Sequence, residues 1–238
     1  MVMTSFRIIF YKNSMTIIAM LTFSLLLSDM AFANEANAQF VVGQVMVKFK
    51  EATEATQLLN KAKQSNPPNL KVLTPVAESL SDKTGIPLTA QQLLSGDWIL
   101  LSIDANKLTS LLEKQLRKRS SIADIQLIAS ESQTPETMAS KNIDITFQAD
   151  SLEYKTIKSK SGTDNNRVTE LVRELSKTLN LPLQGTADQR GHLILQLEPK
   201  AITIELSNRL QNLQTMIESV QLNYISTGMK QYDGTGLQ

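Results

Sequence analysis

His192 is the only histidine in a chain of 238 residues, and cysteine is absent. Acid–base chemistry near neutral pH would therefore rest on a single imidazole. Thiol chemistry, disulfides and thiolate metal sites are excluded, and a multi-histidine metal site cannot be built. Hydrolysis by a serine nucleophile needs a base held by an orienting acid. His192 directly follows Gly191 at the entry to a predicted strand, and no serine lies in a nucleophile-elbow pattern. It reads as a strand-edge residue. The sequence assigns no catalytic residue, no metal ligand and no cofactor, and the expectation is a protein that is not an enzyme.

Other residues have the chemistry to bind. Arg117-Lys118-Arg119 is a basic cluster, but Glu113 flanks it on the polar side of an amphipathic helix, which reads as a solvated face. Trp98 is the lone tryptophan, placed either at the edge of a core or as an interface anchor. The closing stretch 226–238, STGMKQYDGTGLQ, has few apolar residues. It reads either as a disordered tail or as a segment that orders on binding.

The first residues look like a leader. Arg7 and Lys12 precede the apolar run Ile17 to Leu27, and Ala31-Phe32-Ala33 and Ala36-Asn37-Ala38 are small-x-small cleavage signals. Residues 1–38 are read as a signal peptide cut after 33 or 38. Removal takes two of the 24 basic residues, and a cut after 33 takes one of the 23 acidic ones. The charge stays balanced, which argues against nucleic acid. No later apolar run approaches membrane length, so no membrane contact is expected after cleavage. The localisation expected is export, to the periplasm or outside the cell.

The elements that must position these residues are written twice. LSDKTGIPL at 80–88 returns as LSKTLNLPL at 175–183. VMVKFK at 45–50 matches IDITFQ at 143–148, with apolar residues alternating as in half-buried strands. SGDWILLSID at 95–104 matches RGHLILQLE at 190–198, each strand preceded by a glycine. Leu108, Leu111, Leu112, Leu116 and Ile122 form one helical stripe, and Leu206, Leu210, Leu213 and Ile217 form another. Short strands at 124–128 and 219–225 close each copy. In the first copy the helix begun at Ala55 is interrupted by QSNPPNLK.

This order is the split β-α-β pattern, so the fold class is α+β: two tandem ferredoxin-like domains, each an antiparallel sheet with two helices on one face. The domains are placed at 39–129 and 143–226, with a polar linker at 130–142 and a tail at 227–238.

The residues quoted also resemble a family. GQVMVKFK, then LSDKTGIPL with LLSGDWILLSID, then LTSLLEKQLRKRSSIADIQLI, are similar to the propeptides of secreted bacterial subtilisin-like serine proteases. The resemblance covers 43–128 and, more faintly, 143–225. It implies two propeptide-like modules without a protease domain. Such propeptides inhibit their protease and assist its folding, with the sheet packed on the enzyme and the segment after the last strand laid in the substrate cleft. Carried to this chain, the resemblance implies a partner, a subtilisin-like serine protease bound in trans, and a binding tail of Thr227, Gly228, Met229, Lys230, Gln231 and Tyr232. The alternatives are an exported binding or scaffold module and a truncated remnant of a protease precursor.

The leader gives a direct prediction. N-terminal sequencing of the exported protein is expected to begin at Asn34 or Gln39; an intact Met1 on a membrane-bound product would contradict it.

Overall fold

The computed structural model describes residues 39–128, 142–158, 165–188 and 190–225. The leader, the binding tail at 227–232 and all of the linker except Asn142 lie outside the described residues. The first half runs β1 (Phe40–Phe49), α1 (Glu54–Lys63), a 3-10 turn (Leu70–Leu73), α2 (Thr74–Thr84), β2 (Leu88–Leu93), β3 (Trp98–Ile103), α3 (Ala105–Leu116) and β4 (Ile122–Ile128). The second runs β5 (Asn142–Phe147), α4 (Leu152–Lys158), α5 (Asn165–Leu179), β6 (Leu183–Ala187), β7 (His192–Leu197), α6 (Pro199–Gln211) and β8 (Ile217–Tyr224).

Two antiparallel four-stranded sheets result, and each draws its fourth strand from the other half. Sheet A has the order β2-β3-β1-β8, and sheet B has β4-β5-β7-β6. Residues 39–129 and 143–226 are thus two stretches of chain, but neither contains a whole sheet, and the expectation of two self-contained domains is corrected here. In sheet A the Lys50 N–H donates to the Met216 carbonyl at 2.9 Å. Lys48 Nζ meets Glu218 Oε1 at 2.6 Å, and Asn223 Nδ2 donates to Gln44 Oε1 at 2.7 Å. In sheet B the Gln148 N–H donates to the Ser121 carbonyl at 2.8 Å, and Ile125 lies opposite Ile145.

The helix before the exchanged strand travels with it. α6 packs beside α2, and the buried Gly43 N–H of β1 donates to Thr203 Oγ1 of α6 at 2.7 Å. The Thr203 hydroxyl in turn donates to the Pro199 carbonyl at 2.7 Å, so one buried side chain satisfies a strand amide and a helix carbonyl. Arg209 of α6 clasps the join. Its Nη1 donates to the Thr84 carbonyl at the end of α2 (2.6 Å) and its Nη2 to the Asn180 carbonyl after α5 (2.5 Å). Glu205 Oε1 accepts from Nε at 2.8 Å. A guanidinium suits this because its donors are fixed in a planar fork.

The repeated phrase is a helix stop followed by a strand start. Gly85 takes φ 70°, and its counterpart Asn180 takes φ 53°. Both close their helix in the left-handed region, where glycine and asparagine are the residues at ease. The serine at the head of each phrase reaches forward. Ser81 Oγ accepts from the Leu88 N–H at 2.8 Å, and Ser176 Oγ accepts from the Leu183 N–H at 3.2 Å. Each proline carbonyl accepts from the residue that opens the next helix: Pro87 from Asp104 at 2.9 Å, Pro182 from Glu198 at 3.3 Å.

The sequence reading missed α2, because Pro67 and Pro68 read as the end of helical structure. Helix resumes at Thr74, with a proline placed where helix N-termini accept one, and buries Val76, Ala77 and Leu80. The expected strand alternation is present: Val45, Val47 and Phe49 are buried, as are Ile143, Ile145 and Phe147. These residues, Leu101, Leu195 and the α6 stripe Ile202, Leu206 and Leu210 belong to one continuous core. Residues 41–223 form one compact unit. The described ends, Gln39 and Phe40 with Tyr224 and Ile225, group in a second, where the Ile225 N–H donates to the Gln39 carbonyl at 2.8 Å.

Leu101 is 1% exposed and Leu195 is fully buried. Leu101→Ala or Leu195→Ala is expected to cost about 2–5 kcal/mol in chemical denaturation. Gly85→Ala is expected to cost about 1–2 kcal/mol, because only the left-handed backbone opposes it. Gly85→Asn is expected to cost less than Gly85→Ala. Equal costs for the two would contradict the backbone explanation.

Candidate functional site

Each sheet turns one face to the core, and the two outer faces differ. On sheet A the residues alternating with the core positions are Gln44, Met46 and Lys48 on β1, and Trp98, Leu100 and Ser102 on β3. Pairing sets Met46 opposite Leu100 and Lys48 opposite Trp98. Met46 and Trp98 are half-buried, while Leu100 is only 9% exposed although it lies on the outer side. The centre of this face is therefore apolar. Its rim is polar: Thr89 and Gln92 on β2, Lys48 with Glu218, and Gln44 with Asn223. The hydrogen bond that Lys48 donates to Glu218 raises the Lys48 pKa, against the weaker opposing effect of desolvation. At the hairpin end Asp97 pairs with Lys63, whose hydrogen bond lowers the Asp97 pKa. An apolar centre inside a polar rim is the anatomy of a protein-binding patch.

The matching face of sheet B is polar. Asp144 and Thr146 on β5 lie opposite Ile194 and His192 on β7, with Gln126 across from Asp144 on β4. His192 Nδ1 lies 3.2 Å from Asp144 Oδ1 and 3.3 Å from Oδ2. One ring N–H serves one oxygen, and Oδ1 is buried without a hydrogen-bond partner. The histidine read as a strand-edge residue does begin a strand, and it also has a carboxylate partner that the sequence reading did not foresee. Asp144 sits on the polar side of an alternating strand, where a charged residue attracts no notice.

Two other sequence candidates fall into place. Arg117 Nε donates to Glu113 Oε1 at 2.9 Å, and its Nη2 donates to the Ile125 carbonyl at 2.9 Å. It ties α3 to β4, while Lys118 is exposed and Arg119 half-buried. Trp98 opens β3 on the outer face of sheet A, beside the left-handed turn at Gly96 (φ 71°). The binding tail at Thr227–Tyr232 lies outside the described residues, but β8, the strand before it, is in sheet A. The sequence reading missed Met46 and Leu100. Their signals were the unbroken apolar runs Val45-Met46-Val47 and Trp98-Ile99-Leu100-Leu101, where a one-faced strand would alternate.

A groove of about 500 Å³ runs between α2 and α3, with Pro87, Leu88 and Leu111 along it. Glu78 and Asp82 of α2 line it together with Lys107 and Lys114 of α3. Leu111 is 45% exposed there. Among the described residues no group of three or more His, Cys, Asp or Glu side chains could hold a metal ion, and no helix is long and apolar enough to cross a membrane. Comparison with protein-family models, curated proteins and solved structures gives no match.

The turn before β7 carries a pH dependence. Asp188 Oδ1 accepts from the Arg190 N–H at 2.8 Å and the His192 N–H at 2.9 Å. Desolvation pushes its pKa up, but the backbone bonds from His192 and Arg190 and the nearby imidazole outweigh it, so the pKa falls below its ordinary value. A lowered folded-state pKa stabilises the fold above the unfolded value, and that contribution is lost as pH falls through the folded one. Asp188→Asn keeps an acceptor oxygen but removes the titration. Wild type is expected to lose more stability than Asp188→Asn between about pH 4 and pH 2. Thermal melts across that range check it, and parallel losses would contradict it.

Proposed function

We propose that this chain is an exported, non-enzymatic protein-binding protein that acts in trans on a subtilisin-like serine protease, as an inhibitor or as a folding chaperone. We read each sheet with its helices as a ferredoxin-like unit, 2-3-1-4 in strand order, whose fourth strand comes from the other half. The observation that carries the reading is the outer face of sheet A, with Met46, Trp98 and Leu100 central and polar residues around them. The resemblance of 43–128 to protease propeptides assigns that sheet face to the enzyme.

The exchange of strands supports the same choice. Because β8 belongs to sheet A, the tail Thr227–Tyr232 follows directly from the sheet that carries the apolar face. The segment after β4 follows from sheet B, whose outer face is polar. Face and tail could then engage one partner together. The face would supply buried area, and the tail would add backbone hydrogen bonds in an extended cleft. Met229 and Tyr232 are the tail's sizeable apolar side chains. The scaffold reading is favoured by a separate observation, the groove along Leu111, which would bind a partner on the helical side instead.

The test uses residues 39–238 against a panel of subtilisin-like proteases, with inhibition and binding measured separately. Met46→Asp is expected to weaken binding by roughly 30-fold, about 2 kcal/mol, while leaving the melting temperature nearly unchanged. Truncation after Ser226 is expected to abolish active-site blockade and to leave measurable binding. If the wild-type chain neither binds nor inhibits any member of the panel, the protease reading falls. If Leu111→Asp then abolishes capture of another envelope protein, the scaffold reading replaces it.

A further inference from the structure

The two halves are joined along the chain only through the segment between β4 and β5, residues 129–141. They are joined a second time by the exchange, and that join is not covalent. We propose that a cut between β4 and β5 leaves the protein whole, with the two fragments held as one folded particle. The inference goes beyond the protease-binding reading and does not rest on it.

Separation would expose backbone groups and apolar side chains that the two halves bury together. A cut there gives a fragment with β1–β4 and a fragment with β5–β8. Sheet A takes three strands from the first fragment and one from the second, and sheet B takes the reverse. Pulling the fragments apart removes β8 from β1 and β4 from β5 together. The run of backbone pairs from Ile122 opposite Phe147 to Ile128 opposite Asn142 would be lost. The buried Gly43 N–H would lose Thr203, and an unpaired buried amide is costly. Arg209 would leave the Thr84 carbonyl. Ile202, Leu206 and Leu210, all fully buried, would leave a core they share with Val45, Val47 and Leu101. An interface that shares one continuous apolar core resembles an obligate one.

One rival arrangement competes. Each fragment owns a last helix and strand, so α3–β4 could fold back on sheet A and α6–β8 on sheet B. The fragments would then part as two self-contained domains. Residues specific to the exchanged form weigh against this. Gln44 meets Asn223 across β1 and β8, but in the rival it would face Ile128, which now lies opposite its equivalent Asn142 and offers no polar group. Arg209 reaches carbonyls from both halves, and at its place on α3 stands Gln115, without a charge or a fork. Each of these favours α6–β8 on sheet A.

A protein exposed to proteases outside the cell would gain from this arrangement, since a nick at its one polar connection would not separate its parts. The test inserts the recognition sequence of a site-specific protease between Pro135 and Glu136 of the full chain. A second version adds Lys48→Cys and Glu218→Cys; the chain has no cysteine of its own, so any disulfide reports that one strand pair. After complete cleavage, the fragments are expected to co-elute at the mass of the uncut chain and to part only in denaturant. The oxidised cysteine version is expected to keep them linked in denaturant until reductant is added. Separate elution of two half-size species would overturn the proposal, and so would elution at twice the mass, which would mean exchange between chains. If the insertion itself prevents folding, the cysteine pair in the uninserted chain still decides. A disulfide within one chain supports the exchange, and its absence or a disulfide-linked dimer overturns it.

Discussion

The fourth strand of each sheet is the constraint on which the rest of the structure depends. β1 is an inner strand, and its backbone groups must be paired on both sides. β3 satisfies one side, and the other is satisfied by β8, which lies at the far end of the chain. Once β8 is there, α6 has nowhere to run except along sheet A beside α2. That brings Thr203 to the Gly43 amide and Arg209 to the end of α2. The same sequence of consequences places β4 on β5. Neither core can close before the other half is in place, so hydrophobic burial in the two halves is coupled. The loop-closure cost of bringing residue 50 to residue 216 is offset by a strand ladder and a shared core.

Much of each half was legible in sequence, because its signals are local. Alternation marked β1, β3, β5 and β7, and the 3.6-residue stripes marked α3 and α6. The glycines at 96 and 191 marked the tight turns before β3 and β7. The repeated phrase was visible as a repeat, but its reason was not. That reason is a left-handed helix end, tolerated by Gly85 and Asn180 alike, with a serine hydroxyl holding the next strand. Helix α2 was hidden because paired prolines report that one helix ends and say nothing about whether another begins.

The partner of each last strand could not be read. β4 and β8 follow equivalent helices and carry similar short apolar patterns, so either could complete either sheet by pattern alone. The choice rests on pairs that become visible only when elements are side by side, such as Gln44 with Asn223 and Arg209 with the Thr84 carbonyl. These are long-range polar contacts that no local periodicity encodes. The repeated sequence phrases make this ambiguity inevitable, because they give the two halves similar parts.

The exchange also bears on why two copies are kept while their outer faces diverge. If the halves were independent, the polar face of sheet B would mark its half as dispensable for binding through sheet A. Here sheet A is completed by β8, with α6 packed beside α2, and both belong to the second half. The apolar face at Met46, Trp98 and Leu100 is a first-half surface, yet its edge strand and one helix behind it come from the second. Sheet B has a polar outer face, and its half contributes a strand and a helix to the other sheet. The Asp144–His192 pair and the surrounding polar residues are what a sheet carries when its outer face meets water. Divergence of the faces and exchange of the strands are thus two sides of one division of labour, in which one half presents the surface and the other completes it.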